Sequence, residues 1–178
     1  QTSSNSSVSR VRVLYSNTGF NLLELLIEEV TGDEFAAYMQ GEVLDPLGMN
    51  HSSFTWSEDL APPVPVGYDL EGNPVPVYVY PEKASGGLFA TVEDVARFVA
   101  AGMTGPDARD NDVLQPATIR QMHRPEAEIT GLFRVVSPSY GLGHFLETLS
   151  SGEQVVWHGG QGHGWMTDFH FIPATGDG

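Results

Sequence analysis

The sequence contains no cysteine, which excludes disulfides, thiolate metal sites and a cysteine nucleophile. Lysine is almost missing as well: Lys83 stands alone beside seven arginines, against 23 acidic residues and a formal net charge of −15. That field repels phosphates and anionic headgroups, so neither nucleic acid nor an anionic membrane surface is an expected partner. Salt screens the self-repulsion of an acidic, lysine-poor surface, and a halophilic source is the expectation. No apolar run approaches the roughly 20 residues that span a bilayer, so no membrane insertion is expected. Residues 1–9 are Ser/Thr/Asn-rich without the basic-then-apolar layout of a signal peptide, which leaves the compartment open.

What is present suits one globular domain. The 178 residues, 40% of them hydrophobic, are enough to bury roughly 70% of the unfolded surface. The densest chemical signal is Trp157-His158-Gly159-Gly160-Gln161-Gly162-His163-Gly164-Trp165. Glycines there permit a strained turn or close backbone approach to a ligand, and the histidines titrate near neutral pH. A glycine-rich hairpin with solvated histidines has the same composition, so both readings stand.

Along the chain, residues 10–14 alternate charged and apolar character, as a short extended entry does. Tyr15-Ser16-Asn17-Thr18-Gly19 leads into a Leu-rich segment, 20–30, with a helical stripe at Leu22, Leu26 and Val30 and a cap at Gly32. Asp33 can cap a second helix from Glu34 to about Leu44, stopped by Asp45-Pro46. Residues 51–81 are proline-rich and irregular, either a wall over a cleft or a passive surface loop. Ala84-Ser85-Gly86-Gly87-Leu88 reads as a tight turn. Thr91 and Asp94 start a helix to about Ala101, and Pro116 opens another to Met122. After residue 130 three strands are expected: 140–147, 153–159 and 165–172. The last is apolar on both faces, as in a sheet covered on both sides. Helices followed by antiparallel strands make the fold class α+β. The divisions are a polar leader, 1–13, a mostly helical lobe, 14–130, and a sheet portion, 131–178.

Two boxes gain meaning from this context: Tyr15-Ser16-Asn17 at a helix entrance, and His158-Gly159-Gly160 at the end of a strand. The pair resembles the second and third signature boxes of the serine β-lactamase and penicillin-binding-protein superfamily, most of all its class C β-lactamase-like branch. Residues 44–49, 84–88 and 140–143 are similar too, so the resemblance runs from about Leu14 onward. It implies a β-lactamase/transpeptidase-like fold and acyl-enzyme chemistry on an amide, β-lactam or ester. By the same resemblance Tyr15 is a general base and Asn17 a donor to substrate. His158 polarises Tyr15 or the substrate, and Gly159 and Gly160 let substrate lie along the strand edge. The Gln161 N–H forms half of an oxyanion hole. Read without the resemblance, Tyr15-Ser16-Asn17 is a helix start capped by Asn17.

The superfamily's first box, Ser-x-x-Lys, is missing: the residue three positions before Lys83 is Tyr80. The resemblance therefore implies a C-terminal portion, incomplete at both ends and inactive alone, with a sheet edge exposed to intermolecular pairing. The expected partner is a small-molecule or peptide-like acyl substrate, with no cofactor and no metal.

Other readings compete. A non-catalytic peptide- or glycan-binding module would use the same edge, with Trp157 and Trp165 as platforms or as core residues. A metal hydrolase would draw on Asp168 and His170, which share a strand face, and on His144, His158 and His163. No His-Glu-x-x-His pattern supports it. No Gly-x-Ser-x-Gly elbow marks a serine triad, and Gly160, Gly162 and Gly164 precede a strand instead of the helix a dinucleotide site needs. His51, His123 and Asp45 read as surface or capping residues.

Overall fold

The computed structural model describes residues 13–58, 60, 63–105, 111–129 and 134–178. Most of the extended entry expected over 10–14, and all of the leader except Val13, lie outside them. α1 (Asn17–Thr31) begins where the Ser16 hydroxyl accepts the Gly19 N–H at 3.1 Å, so the cap is Ser16 and Asn17 is the first helical residue. It ends at Gly32, whose left-handed φ of 80° lets its N–H reach the Glu28 carbonyl. None of its residues is buried; Leu22, Leu26 and Val30 are 66, 55 and 76% exposed.

α2 (Phe35–Met39) has no side-chain cap of its own, neither Asp33 nor Glu34. Instead the Glu28 carboxylate of α1 accepts the Phe35 N–H at 2.9 Å, tying the two helices at their corner. The helix continues as a π-helical turn, Gln40–Leu44, and then stops at Asp45-Pro46. Two short strands, β1 (Gly67–Tyr68) and β2 (Pro74–Val75), pair within the proline-rich excursion. α3 (Val92–Ala101) is capped by Thr91, whose hydroxyl accepts the Asp94 N–H, and α4 (Pro116–Met122) opens on its proline.

One carboxylate joins α3 to the excursion. Asp94, fully buried, accepts from the His51 N–H at 2.7 Å, the Ser52 hydroxyl at 2.8 Å and the Arg97 guanidinium at 2.8 Å. Burying a carboxylate is tolerable only with such a set of donors.

Five strands form an antiparallel meander in the order β3 (Ala127–Glu128), β4 (Ser139–Tyr140), β5 (Phe145–Thr148), β6 (Gln154–Gly162) and β7 (Trp165–Phe171). Two expectations need correction. The first expected strand is cut into β4 and β5 by a turn in which the Gly141 N–H bonds the His144 carbonyl and Gly143 takes φ 79°. The glycine-rich stretch is mostly strand rather than turn: Gly159, Gly160 and Gly162 pair with Asp168, Thr167 and Trp165. Only His163-Gly164 turns. Gly164 takes φ 81°, and a Cβ there would collide with Val75 and the Tyr68 backbone.

The core lies on one face of the sheet, where Leu146, Val156 and Phe171 are buried and Val99 of α3 and Phe169 pack against them. The opposite face carries Phe145, Trp157 and His170 in a stack, with ring centroids 4.5 and 5.1 Å apart. Apolar side chains thus lie on both faces, but β7 is not covered on both sides as expected: Met166, Asp168 and His170 are exposed. Trp157 is a packing residue in this stack.

Candidate functional site

β6 is longer than β5. Its pairing with β5 ends at Trp157 opposite Phe145, while its pairing with β7 runs on to Gly162. Among the described residues, His158 to Gly162 thus have a strand partner on one side only. Gly160 and Gln161 are exposed, and the glycines leave the strip nearly bare of side chains.

Tyr15 stands at the start of this strip. Its ring centroid is 6.1 Å from that of His158 and 6.3 Å from that of Phe145, on which it stacks. Ser16, in an extended conformation, caps the start of α1, so Tyr15 lies just ahead of the helix. Asn17 follows on the exposed first turn. The two sequence boxes, more than 140 residues apart in the chain, do meet.

Tyr140, noted in the sequence only within the similar stretch 140–143, has its ring 6.4 Å from His158 and 4.8 Å from Phe145. Burial, and then the neighbouring Tyr15, push its phenol up to about 12, so Tyr140 stays protonated. Burial holds His158 below the usual histidine value, opposed by a hydrogen bond with the Gly159 backbone. His158 is therefore a neutral imidazole at pH 7, able to donate or accept but carrying no charge.

Behind the strip, His144 and His123 are buried with their rings 5.7 Å apart, against Phe169 and Phe171 respectively. His144 Nδ1 donates to the Leu142 carbonyl at 3.1 Å in the tautomer that carries the proton there. Burial lowers both; His123 falls to about 4, with His144 as the second cause. His123 does close α4, as a capping role requires, but its side chain is buried and not at the surface. His51 is exposed, and Asp45 caps the π-helical turn.

The far end of the strip is framed by the proline-rich excursion. The Trp165 indole donates to the Pro65 carbonyl at 3.2 Å and its ring covers Gly67, while the Tyr68 N–H donates to the Gly164 carbonyl. Tyr80 packs on Gly86, and its hydroxyl is 3.3 Å from where a Cβ on Gly162 would stand. Tyr78 meets Tyr80 edge-on at 4.7 Å and His163 at 5.0 Å. Within residues 51–81, the segment 65–80 therefore packs against the β6–β7 hairpin. The turn carrying Ser85 is fastened to α1 by the Glu24 carboxylate, which accepts the Ala84 N–H at 2.8 Å. No local sequence pattern foretold the Glu24 or Tyr80 contacts, which join segments far apart in the chain.

The histidines do not assemble a metal centre. Asp168 and His170 approach to 3.3 Å on the exposed face, His163 lies with Tyr78, and no three His, Cys, Asp or Glu residues converge among the described residues. No helix there is long and apolar enough to cross a membrane.

Comparison with known proteins gives the family and the fold. Protein flp of Staphylococcus aureus (strain N315) is 26% identical over 151 residues, covering 82% of this chain and 28% of that protein. The octameric penicillin-binding protein homologue of Pyrococcus abyssi is 30% identical with a TM-score of 0.77, over 92% of this chain and 36% of that one. A class C beta-lactamase shares the fold, at 18% identity and a TM-score of 0.73, over 90% of this chain and 49% of that one. The chain thus spans about half or less of the length of these relatives. The Beta-lactamase family model matches residues 3–176. This chain belongs to the beta-lactamase family.

Proposed function

We propose that this chain carries the base and the substrate edge of an acyl-transfer site, and that a serine for it must come from a Ser-x-x-Lys box outside this sequence. The observation that carries the reading is the meeting of Tyr15 with His158 at the mouth of a one-sided, glycine-lined strand. With Tyr15 deprotonated, the serine proton passes to its phenolate oxygen as the serine oxygen attacks the substrate carbonyl, leaving Tyr15 as the neutral phenol. The Gln161 N–H receives the oxyanion. Collapse breaks the bond to the leaving group, which takes the proton from Tyr15, and water then hydrolyses the acyl-enzyme. Asn17 orients the substrate amide, and Gly159 and Gly160 clear its path.

A tyrosine has an ordinary pKa of about 10, so its use as a base calls for a nearby cation. His158, being neutral, works by hydrogen bonding and does not supply that charge. The family's lysine is the natural source. An amide, a β-lactam or an ester all fit this chemistry as substrate. No cofactor takes part.

Intact mass after exposure to a fluorophosphonate tests the reading. This chain should gain no adduct, and a longer polypeptide with a Ser-x-x-Lys box upstream of Gln1 should gain one. A serine adduct on this chain refutes the assignment. The single lysine, unable to form the box, also favours a second reading, a non-catalytic module that holds a peptide or glycan on the same edge. An extended, box-containing chain that stays unlabelled while still binding peptide selects it.

A further inference from the structure

The strip between His158 and Gly162 has two unlike ends. Side chains alternate along a strand, so His158, Gly160 and Gly162 point to one face, and the two ends are about 13 Å apart. One end holds Tyr15 and His158. The other holds the Tyr80 hydroxyl over Gly162, with Tyr78 and His163 beside it. Between them Gly160 offers a bare floor.

The aromatic end is supported from three directions. Tyr80 rests on Gly86 in the turn that Glu24 fastens to α1. The excursion that delivers Tyr78 and Tyr80 is itself tied to the hairpin through Trp165 and Pro65 and through Tyr68 and Gly164. Tyr78 nevertheless keeps 46% of its surface exposed, and His163 is exposed beside it. Tyr78 in edge contact with both Tyr80 and His163, held in place from behind and itself half exposed, makes a surface for another ring.

We propose that Tyr78, Tyr80 and His163 form a selectivity wall for an aromatic side group on an extended, peptide-like ligand lying along His158–Gly162. This rests on the strand-edge reading above and names the ligand class for that same edge. The ligand adds to β6 by main-chain hydrogen bonds that every peptide can make. Preference comes from the side group that reaches the rings, two residues beyond Gly160. A hydroxyl on Tyr80 is not needed for stacking, whereas the ring of Tyr78 is.

The test uses three uncharged capped peptides, acetyl-Phe-Ala-Ala-Ala-amide, acetyl-Ala-Ala-Ala-Phe-amide and the all-alanine peptide, titrated into this chain with amide chemical shifts as the readout. At least one phenylalanine peptide should bind about tenfold more tightly than the all-alanine peptide. Tyr78→Ala should reduce that preference to within about twofold, and Tyr80→Phe should keep it. Equal affinities for all three peptides, or a preference unchanged in Tyr78→Ala, overturn the wall while leaving the edge intact. If no peptide shifts the amides of residues 158–162, the edge reading falls and the wall with it.

Discussion

Acid should loosen this fold through His123, and the size of the effect follows from its position. The ring is buried between α4 and the sheet, against Phe171 and His144. The groups that act on the two rings are each other, His158 and the Leu142 carbonyl, and burial dominates. A free histidine titrates near 6.5, and His123 in the fold near 4. Between those values the unfolded chain binds a proton that the folded chain refuses. The stability contributed by the neutral ring is therefore complete above about pH 6.5 and fades as pH falls toward 4. From pH 7 to pH 5 the loss is about 2 kcal/mol for this one residue. His144 and His158, also lowered, add in the same direction.

His123→Phe keeps an aromatic ring among aromatic neighbours and removes the titration. Urea unfolding at pH 7 and pH 5 should show wild type losing about 2 kcal/mol more than the variant over that interval. Carboxylates shared by both proteins cancel in the comparison. An equal loss in both proteins, or a His123 resonance titrating near 6.5 in the native state, refutes the reasoning.

Three further outcomes follow from other features. Asp94→Ala strips the acceptor from the His51 N–H and from the buried Ser52 hydroxyl, so it should cost on the order of 3 kcal/mol in urea unfolding. Arg97→Gln should cost less than Asp94→Ala in the same unfolding, because half of the Arg97 side chain is exposed and the His51 and Ser52 donors to Asp94 remain. With a net charge of −15, the melting temperature should rise as salt is added; a melting curve flat from low to high ionic strength removes the halophilic expectation.

Local chemistry made part of this structure legible in advance. Gly32 at a left-handed cap, Thr91 at an N-cap and Pro116 at a first turn each satisfy a rule that involves only neighbouring residues. Tyr15 and His158 were legible because their flanks matched known boxes. The rest depends on distant partners. Glu28 replaces the expected Asp33 cap because α1 folds back near the start of α2. The split at residues 141–144 comes from a turn whose glycines resemble a continuing strand. Periodicity cannot extend β6 through residues 159–162, since glycines have no side chains to alternate. Tyr80 and Glu24 became visible only once the excursion and the helix had been placed beside the strand.

That nearly bare stretch has a consequence of its own. A strand normally holds its alignment through the side chains it buries, and a slip of one residue turns every one of them to the other face. Residues 159–162 of β6 offer almost nothing to resist such a slip. The alignment must instead be held at the ends, by His158 opposite Phe169 and by Trp165 opposite Gly162. The indole of Trp165 is anchored in turn to Pro65, 100 residues earlier. The excursion thus acts as a pin on the hairpin, helping from a distance to hold the register in which His158 faces Phe169.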